Sequence, residues 1–435
     1  MRISECGLKI RSLSLLFFNF ELRIPNSELH MSHSRFLIGL SCSSSGEGID
    51  AALIEVHGIG LNLQGRLLQS LRRPLPRDVQ DLLTSQSQTS FGHESTLHRL
   101  LGELFVATAN QLLTQSRFDS QRVLAIGVLA PFAWHEPSGR TPSTREIGMV
   151  SLLADRLGLT VVSDFREQDV AAGGQGMPQT ALADSLLFRS LSEDRLLLHL
   201  GSVTSMVFLK AGPRVQNLMA FECGPGNRLL DQVIRQATGN RERFDPGGKY
   251  AVQGKCVESF LERWQEHPFL QQKPPKSISR SEFGTEFIQQ AVTIATQENI
   301  TLQDLLCTLS HFVIRSVVQS LQRWLPETLS ERPVWLSGGG TRNGMLWRLL
   351  EQYVPIWKLT RFDELGVSAT GRSAMAAGIL AALTLDGVPA SSPSATGTVG
   401  KMLGRLTPGN SQNWLRCLRW MVTQSGEVIS PYRAA

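Results

Sequence analysis

The sequence predicts an α/β protein of two similar domains that face each other across a cleft. Three observations carry that expectation. Apolar runs and helical periodicities read as three strands, helix, strand, helix, strand, helix, and then the order begins again with extra helices inserted. Glycine-rich turns stand directly after strand-like runs, and in a layered α/β domain the loops at the carboxyl ends of strands converge on a crevice. The chain has 435 residues, 42% hydrophobic and 19% charged, enough for two or three domains of roughly 150 residues each. The repeat is one of architecture only.

Taken in order, residues 36–40 and 49–56 are strand-like and flank a small-residue loop. Residues 93–116 hold a broad apolar face at helical spacing, and 123–129 read as a buried strand. A helix is expected over 143–157 and a short strand over 159–162. The stretch Ala171-Ala172-Gly173-Gly174-Gln175-Gly176-Met177-Pro178 is too glycine-rich for a helix and reads as a loop or crossover. Strands follow at 196–200, 205–209 and 218–221, with helices at 228–236, 252–265, 282–297 and 302–324. Thr301 is the expected N-cap of the last, with Asp304 three residues on. The pattern closes with strand 334–336, helix 344–353, strand 356–359 and helix 373–385. The domains expected are 35–180 and 181–390. Residues 1–34 are read as a disordered or mis-started extension, 1–30 standing ahead of Met31, and 391–435 as a tail beginning in a poorly ordered loop over 391–404.

Composition excludes several classes. A net charge of +5 with scattered basic residues gives no nucleic-acid footprint. Arg72-Arg73 and the 273–280 region read as solvated surface or local anion contacts. Six dispersed cysteines without a C-x-x-C pair argue against structural zinc or a disulfide scaffold and for a reducing compartment. Residues 10–20 are apolar with a basic flank, yet no small-residue cleavage site follows, and no later run reaches the ~18 apolar residues that span a bilayer. A cytoplasmic protein without a membrane partner is expected.

Three turns carry candidate chemistry. Leu218 to Phe221 ends on Glu222, then turns through Cys223-Gly224-Pro225-Gly226-Asn227 into an amphipathic segment, which sets one acid at the mouth of a strand-to-helix turn. The hairpin Ser43-Ser44-Ser45-Gly46-Glu47-Gly48-Ile49-Asp50 offers backbone N–H groups and hydroxyls that can surround a phosphate. Gly338-Gly339-Gly340-Thr341-Arg342-Asn343 follows a later strand in the same way. Read alone, each is equally an ordinary surface turn. Cys42, Cys223, His135 and His199 read as packing residues.

Asp164-Phe165-Arg166 with Asp169, the glycine-rich crossover ending at Pro178, Gly224 to Asn227, and Gly338 to Asn343 resemble, in order and interval, the anhydro-N-acetylmuramic acid kinases. The resemblance covers residues 36–388. It implies two actin-like (ribonuclease H-like) domains and an ATP-dependent kinase that opens the anhydro bridge of a cell-wall sugar with water and phosphorylates the sugar, in peptidoglycan recycling. On this resemblance Ser43, Ser44, Ser45, Gly46, Glu47, Gly48, Ile49 and Asp50 contact ATP phosphates, Glu47 also standing near Mg2+. Glu222 is the general base. Gly224, Gly226 and Asn227 lie against phosphate, Gly338, Gly339, Gly340 and Asn343 line the adenosine side, and Arg166 and Asp169 help build the sugar pocket. ATP and Mg2+ are the implied cofactors, a small sugar the partner, and a homodimer the expected assembly.

The chain departs from the family pattern in several places. Glu222 stands for Asp, and Glu47 for a second Asp. The His-Gly-Gln-Thr segment is replaced by Leu129-Ala130-Pro131-Phe132, the Asn-Ile-Gly-Gly stretch by His199-Leu200-Gly201-Ser202, and the late acid expected near Ser373 is missing. Apolar Pro131 and Phe132 cannot replace polar groups that hold a sugar. Two further classes therefore stand beside the kinase: a non-catalytic nucleotide- or sugar-binding descendant, and an actin-like scaffold.

Overall fold

The structure, a computed structural model, describes residues 34–84, 90–325 and 333–424. The expected extension lies, except for Ser34, outside the described residues.

The first half opens with an antiparallel meander, β1 (Ser34–Cys42), β2 (Gly48–His57) and β3 (Gln64–Pro74), followed by α1 (Arg77–Thr84) and α2 (Phe91–Ser116). Strand β4 (Val123–Leu129) runs parallel to β1. A small hairpin, β5 (Phe132–Glu136) and β6 (Ser143–Glu146), precedes α3 (Val150–Leu157), and β7 (Thr160–Ser163) lies parallel to β4. The helix expected over 143–157 is thus a strand over 143–146 and a helix only over 150–157. Phe132 to Glu136 pair with 143–146, and the Ile147 N–H donates to the Pro131 carbonyl at 2.8 Å, so a partner ten residues upstream overrides local helical spacing. Helices α4 (Phe165–Ala171) and α5 (Ala181–Phe188) lead to the second half.

There the plan is repeated. Strands β8 (Arg195–Leu200), β9 (Val203–Leu209) and β10 (Leu218–Pro225) form a second meander, followed by α6 (Asn227–Thr238). The inserted helices are α7 (Glu258–Gln265), α8 (Pro268–Gln271), α9 (Thr285–Gln297) and α10 (Leu302–Trp324). Residues 252–257, expected to be helical, hold only the end of a short 3-10 turn over 251–253; the Lys255 N–H donates instead to Asp304 Oδ1 at 2.6 Å and the Val257 N–H to Thr308 Oγ1 at 2.9 Å. The α10 cap is as expected, the Thr301 hydroxyl accepting the Asp304 N–H at 3.1 Å. Strand β11 (Pro333–Ser337) runs parallel to β8, α11 (Gly344–Tyr353) follows, and β12 (Lys358–Arg361) is parallel to β11.

The sheet orders are β7-β4-β1-β2-β3 and β12-β11-β8-β9-β10, each a meander extended by two parallel strands. This is the two-domain α/β arrangement expected. Helix α12 (Ala369–Leu385) follows the second sheet in sequence but packs on β1, β2 and β4 of the first. Gly39 and Gly127, register partners on β1 and β4, make this possible, since a Cβ on either would come within 2.0 Å of the Ala374 or Ala377 carbonyl oxygen. Together α5 and α12 fill the layer between the sheets, in one core with Leu37, Ala52, Leu197 and Val207.

Residues 391–404 form no strand or helix, yet they are not loose. Ser392, Ala395, Thr396 and Thr398 are buried, the Gln175 N–H donates to Thr396 O at 2.8 Å, and the Ala220 N–H donates to Ser394 O at 3.0 Å, so the loop is held by both halves. The chain then adds β13 (Arg405–Thr407) antiparallel to β7 and ends in α13 (Ser411–Gln424). Among the described residues no helix is long and apolar enough to cross a membrane.

Candidate active site

The hairpin between β1 and β2 is closed by the Gly46 N–H donating to Ser43 O at 3.0 Å, with Gly46 at φ +68°, a conformation that favours glycine. The Ser43 and Ser45 hydroxyls are 2.6 Å apart. Glu47 points to the other half, 3.1 Å from the Arg342 guanidinium, and 3.3 Å from Arg72 beside it. Arg72 grips both oxygens of Asp50, at 2.6 and 2.8 Å, so Asp50 holds the hairpin rather than facing outward. Ile49 is fully buried and Gly48 is pressed against the Arg73 carbonyl, so both are framework of this loop.

Two turns of the second half meet that tip. A Cβ on Gly226 would lie 2.4 Å from the Gly201 carbonyl oxygen, which accepts the Asn227 N–H at 2.9 Å, and Asn227 Nδ2 donates to Leu200 O at 3.2 Å. Gly338, at φ +91°, and Gly340 also pass close to Leu200, a Cβ on them coming to 2.4 Å from its carbonyl oxygen and 2.8 Å from its Cβ, respectively. Glu47 Oε1 is 2.9 Å, and Asn227 Nδ2 3.4 Å, from where a Gly339 Cβ would stand. The fold thus brings Glu47, Asn227, Gly201, Gly338 and Gly339 together. Asn343 caps α11 by accepting from the Met345 and Leu346 amides, and Gly224 seats against Ser316 of α10.

Glu222 sits at a bulge. The β10 to β9 register shifts between Glu222 and Gly224, and a bulge next to a turn re-aims the neighbouring side chain. Phe221 and Cys223 both enter the core, while Glu222 turns toward a strap made by residues 276–280. The Glu222 N–H donates to Lys276 O at 3.1 Å, and Glu222 Oε2 accepts the Ile278 N–H at 2.6 Å. Among the described residues no donor reaches Oε1. Burial pushes this carboxyl up to about 7 against the pull of the Ile278 amide, Arg166 and Arg228.

The strap is anchored in both halves, contrary to its reading as solvated surface. Lys276 is buried, its Nζ donating to Phe269 O at 3.0 Å. Ser277 Oγ donates to Gln175 O at 2.9 Å and lies 3.2 Å from His135 Nε2, and the Arg280 N–H donates to His135 O at 2.8 Å.

Arg166 is buried over the Phe132 ring, at 4.6 Å, and 3.7 Å from Glu146, with its Nε and Nη1 lacking hydrogen-bond acceptors. It also faces Glu222 electrostatically. Burial raises Glu146 to about 7. Asp169 does not pair with Arg166. One oxygen accepts the Gly176 N–H at 2.7 Å, and the other meets the Thr396 hydroxyl at 2.8 Å and the Thr398 hydroxyl. Asp169 therefore pins the glycine crossover to the 391–404 loop.

The family model for anhydro-N-acetylmuramic acid kinase matches residues 35–409. The chain belongs to the anhydro-N-acetylmuramic acid kinase family. That family consists of phosphotransferases. The chain is 31% identical over 385 residues to the anhydro-N-acetylmuramic acid kinase of Caldanaerobacter subterraneus subsp. tengcongensis, covering 86% of this chain and 96% of that one. It is 32% identical over 377 residues to that of Gloeobacter violaceus, covering 85% and 96%. Among solved structures it is similar to a ROK family glucokinase from Streptomyces griseus in complex with glucose and AMPPNP, with a TM-score of 0.36, 11% identity, and coverage of 79% and 98%.

Sequence reasoning about this kinase family member left Glu146 unmarked, and it gave Gln175, Ser277 and Ile278, which stand in the glycine-rich crossover and the 276–280 stretch, no role of their own. The only signal for Glu146 was its place just before Ile147-Gly148, a turn hidden by the expected helix.

Proposed function

We propose that the chain is an ATP-dependent kinase that opens the anhydro bridge of anhydro-N-acetylmuramic acid with water and phosphorylates the sugar, in the recycling of peptidoglycan. One observation carries the reading. Glu222 is a buried carboxylate with one oxygen tied to the Ile278 amide and no donor on the other, titrating near about 7, beside the buried cation Arg166. A base poised near neutrality takes a proton from water most effectively at the pH of the cell. Opening the bridge leaves a hydroxyl able to accept phosphoryl, and such transfer needs positioning and charge neutralisation more than covalent help.

In this reading the tip Ser43 to Glu47 and the turns at Gly201, Gly226 and Gly338 to Gly340 present N–H groups to the ATP phosphates. Asn343 shapes the adenosine side by holding the start of α11. Arg166 contacts the sugar, and Asp169 shapes that pocket through Gly176. Glu47 is the residue that would hold Mg2+, which shields phosphate charge when bound. The residue fits that role, since its carboxylate is 40% exposed, faces Gly339, and has Arg72, already engaged by Asp50, and the exposed Arg342 as its ion-pair partners. ATP as co-substrate puts the reaction in the cytoplasm.

A second reading, a non-catalytic nucleotide- or sugar-binding descendant, is favoured by Phe132, whose ring covers one face of Arg166 where polar groups stand in the family pattern. The deciding experiment measures ATP consumption by purified protein with and without the anhydro sugar. The kinase reading expects sugar-dependent turnover that falls about 100-fold or more in Glu222→Gln while ATP binding survives. ATP binding without turnover would establish the second reading instead.

A further inference from the structure

His199 ends a buried hydrogen-bonded chain that runs beneath the glycine turns. Asp184, on α5, accepts two N–H bonds from Arg372, on α12, at 2.9 Å each, with side-chain exposures of 0% and 8%. Arg372 Nη1 also donates to Ser337 Oγ at 2.9 Å, and Ser337 Oγ lies 3.0 Å from His199 Nδ1. Ser337 is fully buried, and a guanidinium can only donate. Nδ1 is then the one acceptor within reach of the Ser337 O–H, and a buried hydroxyl hydrogen is rarely left unmet. That direction leaves Nδ1 bare and puts the ring proton on Nε2. Burial, with the Arg372 charge nearby, lowers His199 to about 3, so the ring stays neutral.

The Nε2 edge is the one the glycines leave uncovered. A Cβ on Gly201 would stand 2.4 Å from Nε2, and one on Gly338 would stand 3.0 Å from Cε1. Among the described residues no protein acceptor meets Nε2. The donor therefore opens between the two turns that also gather Asn227 and Glu47. A phosphate oxygen is the acceptor that suits this place, since backbone amides and a fixed neutral N–H together bind an anion without burying a cation.

We propose that His199 is a nucleotide-binding residue, its Nε2–H donating to a phosphate oxygen of ATP between Gly201 and Gly338, with Ser337, Arg372 and Asp184 as positioning residues that hold its ring and tautomer. This rests on the kinase reading above and puts a longer-reaching imidazole donor where the family pattern has asparagine.

The test is calorimetric binding of a non-hydrolysable ATP analogue with Mg2+, beside binding of adenosine, which has no phosphate. His199→Asn keeps an amide near Ser337 but falls short of the Nε2 position, while His199→Gln places an amide nitrogen close to it. The expected result is a loss of about tenfold in analogue affinity for His199→Asn, with adenosine affinity unchanged and most of the loss recovered in His199→Gln. Arg372→Lys, which keeps the charge but not the fork, should show the same selective loss. Analogue affinity unchanged in His199→Asn, or adenosine and analogue affinities falling together in both His199 variants, would overturn the assignment. Wild-type protein that binds no analogue would remove the kinase reading itself.

Discussion

Glu47, at the tip of the β1–β2 hairpin, is paired at 3.1 Å with Arg342, at the glycine turn of the other half. Their side chains are 40% and 67% exposed, so solvent screens the pair and it adds less than about 1 kcal/mol to stability. Its significance is the place of the carboxylate, opposite Gly339. Glu47→Gln should leave the thermal midpoint nearly unchanged while lowering ATP turnover by about tenfold or more and raising the Mg2+ concentration needed for half-maximal rate. An unaltered Mg2+ dependence would deny Glu47 the metal.

Because burial holds Glu222 near about 7, turnover should rise as pH increases through that value, the ionised form being the base. Glu222→Asp should lower the rate by ~100-fold, since the shorter side chain draws the carboxylate back by about 1 Å from the position the Ile278 amide defines. A wild-type rate that is flat between about pH 6 and about pH 8 would count against Glu222 as the base.

The same burial has a signed effect on stability. Glu222 and Glu146 are both raised, to about 7, above the ordinary carboxylate value. The folded chain therefore holds these protons more tightly than the unfolded chain, so the stabilisation is fully present below about pH 4.3 and is lost as pH rises through about 7. Urea unfolding of Glu222→Gln and of Glu146→Gln should accordingly show a weaker fall in stability between about pH 5 and about pH 8 than the wild type. Variants that retain the full wild-type slope would show that these carboxyls are not its source.

Much of the architecture was legible in sequence. The strands at 36–40, 123–129 and 196–200, the long α2 and α10, and the Thr301 cap all follow from neighbours a few residues apart, and each stands where local periodicity puts it. The errors share one cause. The 143–146 strand depends on pairing with 132–136, the packed state of 391–404 depends on Gln175 and Ala220, and Lys276 is buried because Phe269 and Leu270 turn their carbonyls to it. None of these partners stands at the two-, three- or four-residue spacing that periodicity reads.

For the candidate site the division is similar. The sequence by itself determined which residue types stand at the carboxyl ends of which strands: an acid and Gly-Pro-Gly at the end of β10, glycines after β11, a small-residue hairpin after β1, because turn chemistry is a property of adjacent residues. Only the tertiary structure decided what those groups can do. It turned Glu222 toward the strap at a bulge, spent both oxygens of Asp50 on Arg72 and those of Asp169 on Gly176 and two threonines, and placed His199 at the end of a chain from Asp184. Proton affinity and hydrogen-bond availability are set by burial and by partners tens to hundreds of residues away, and these exist only once the two sheets have closed around α5 and α12.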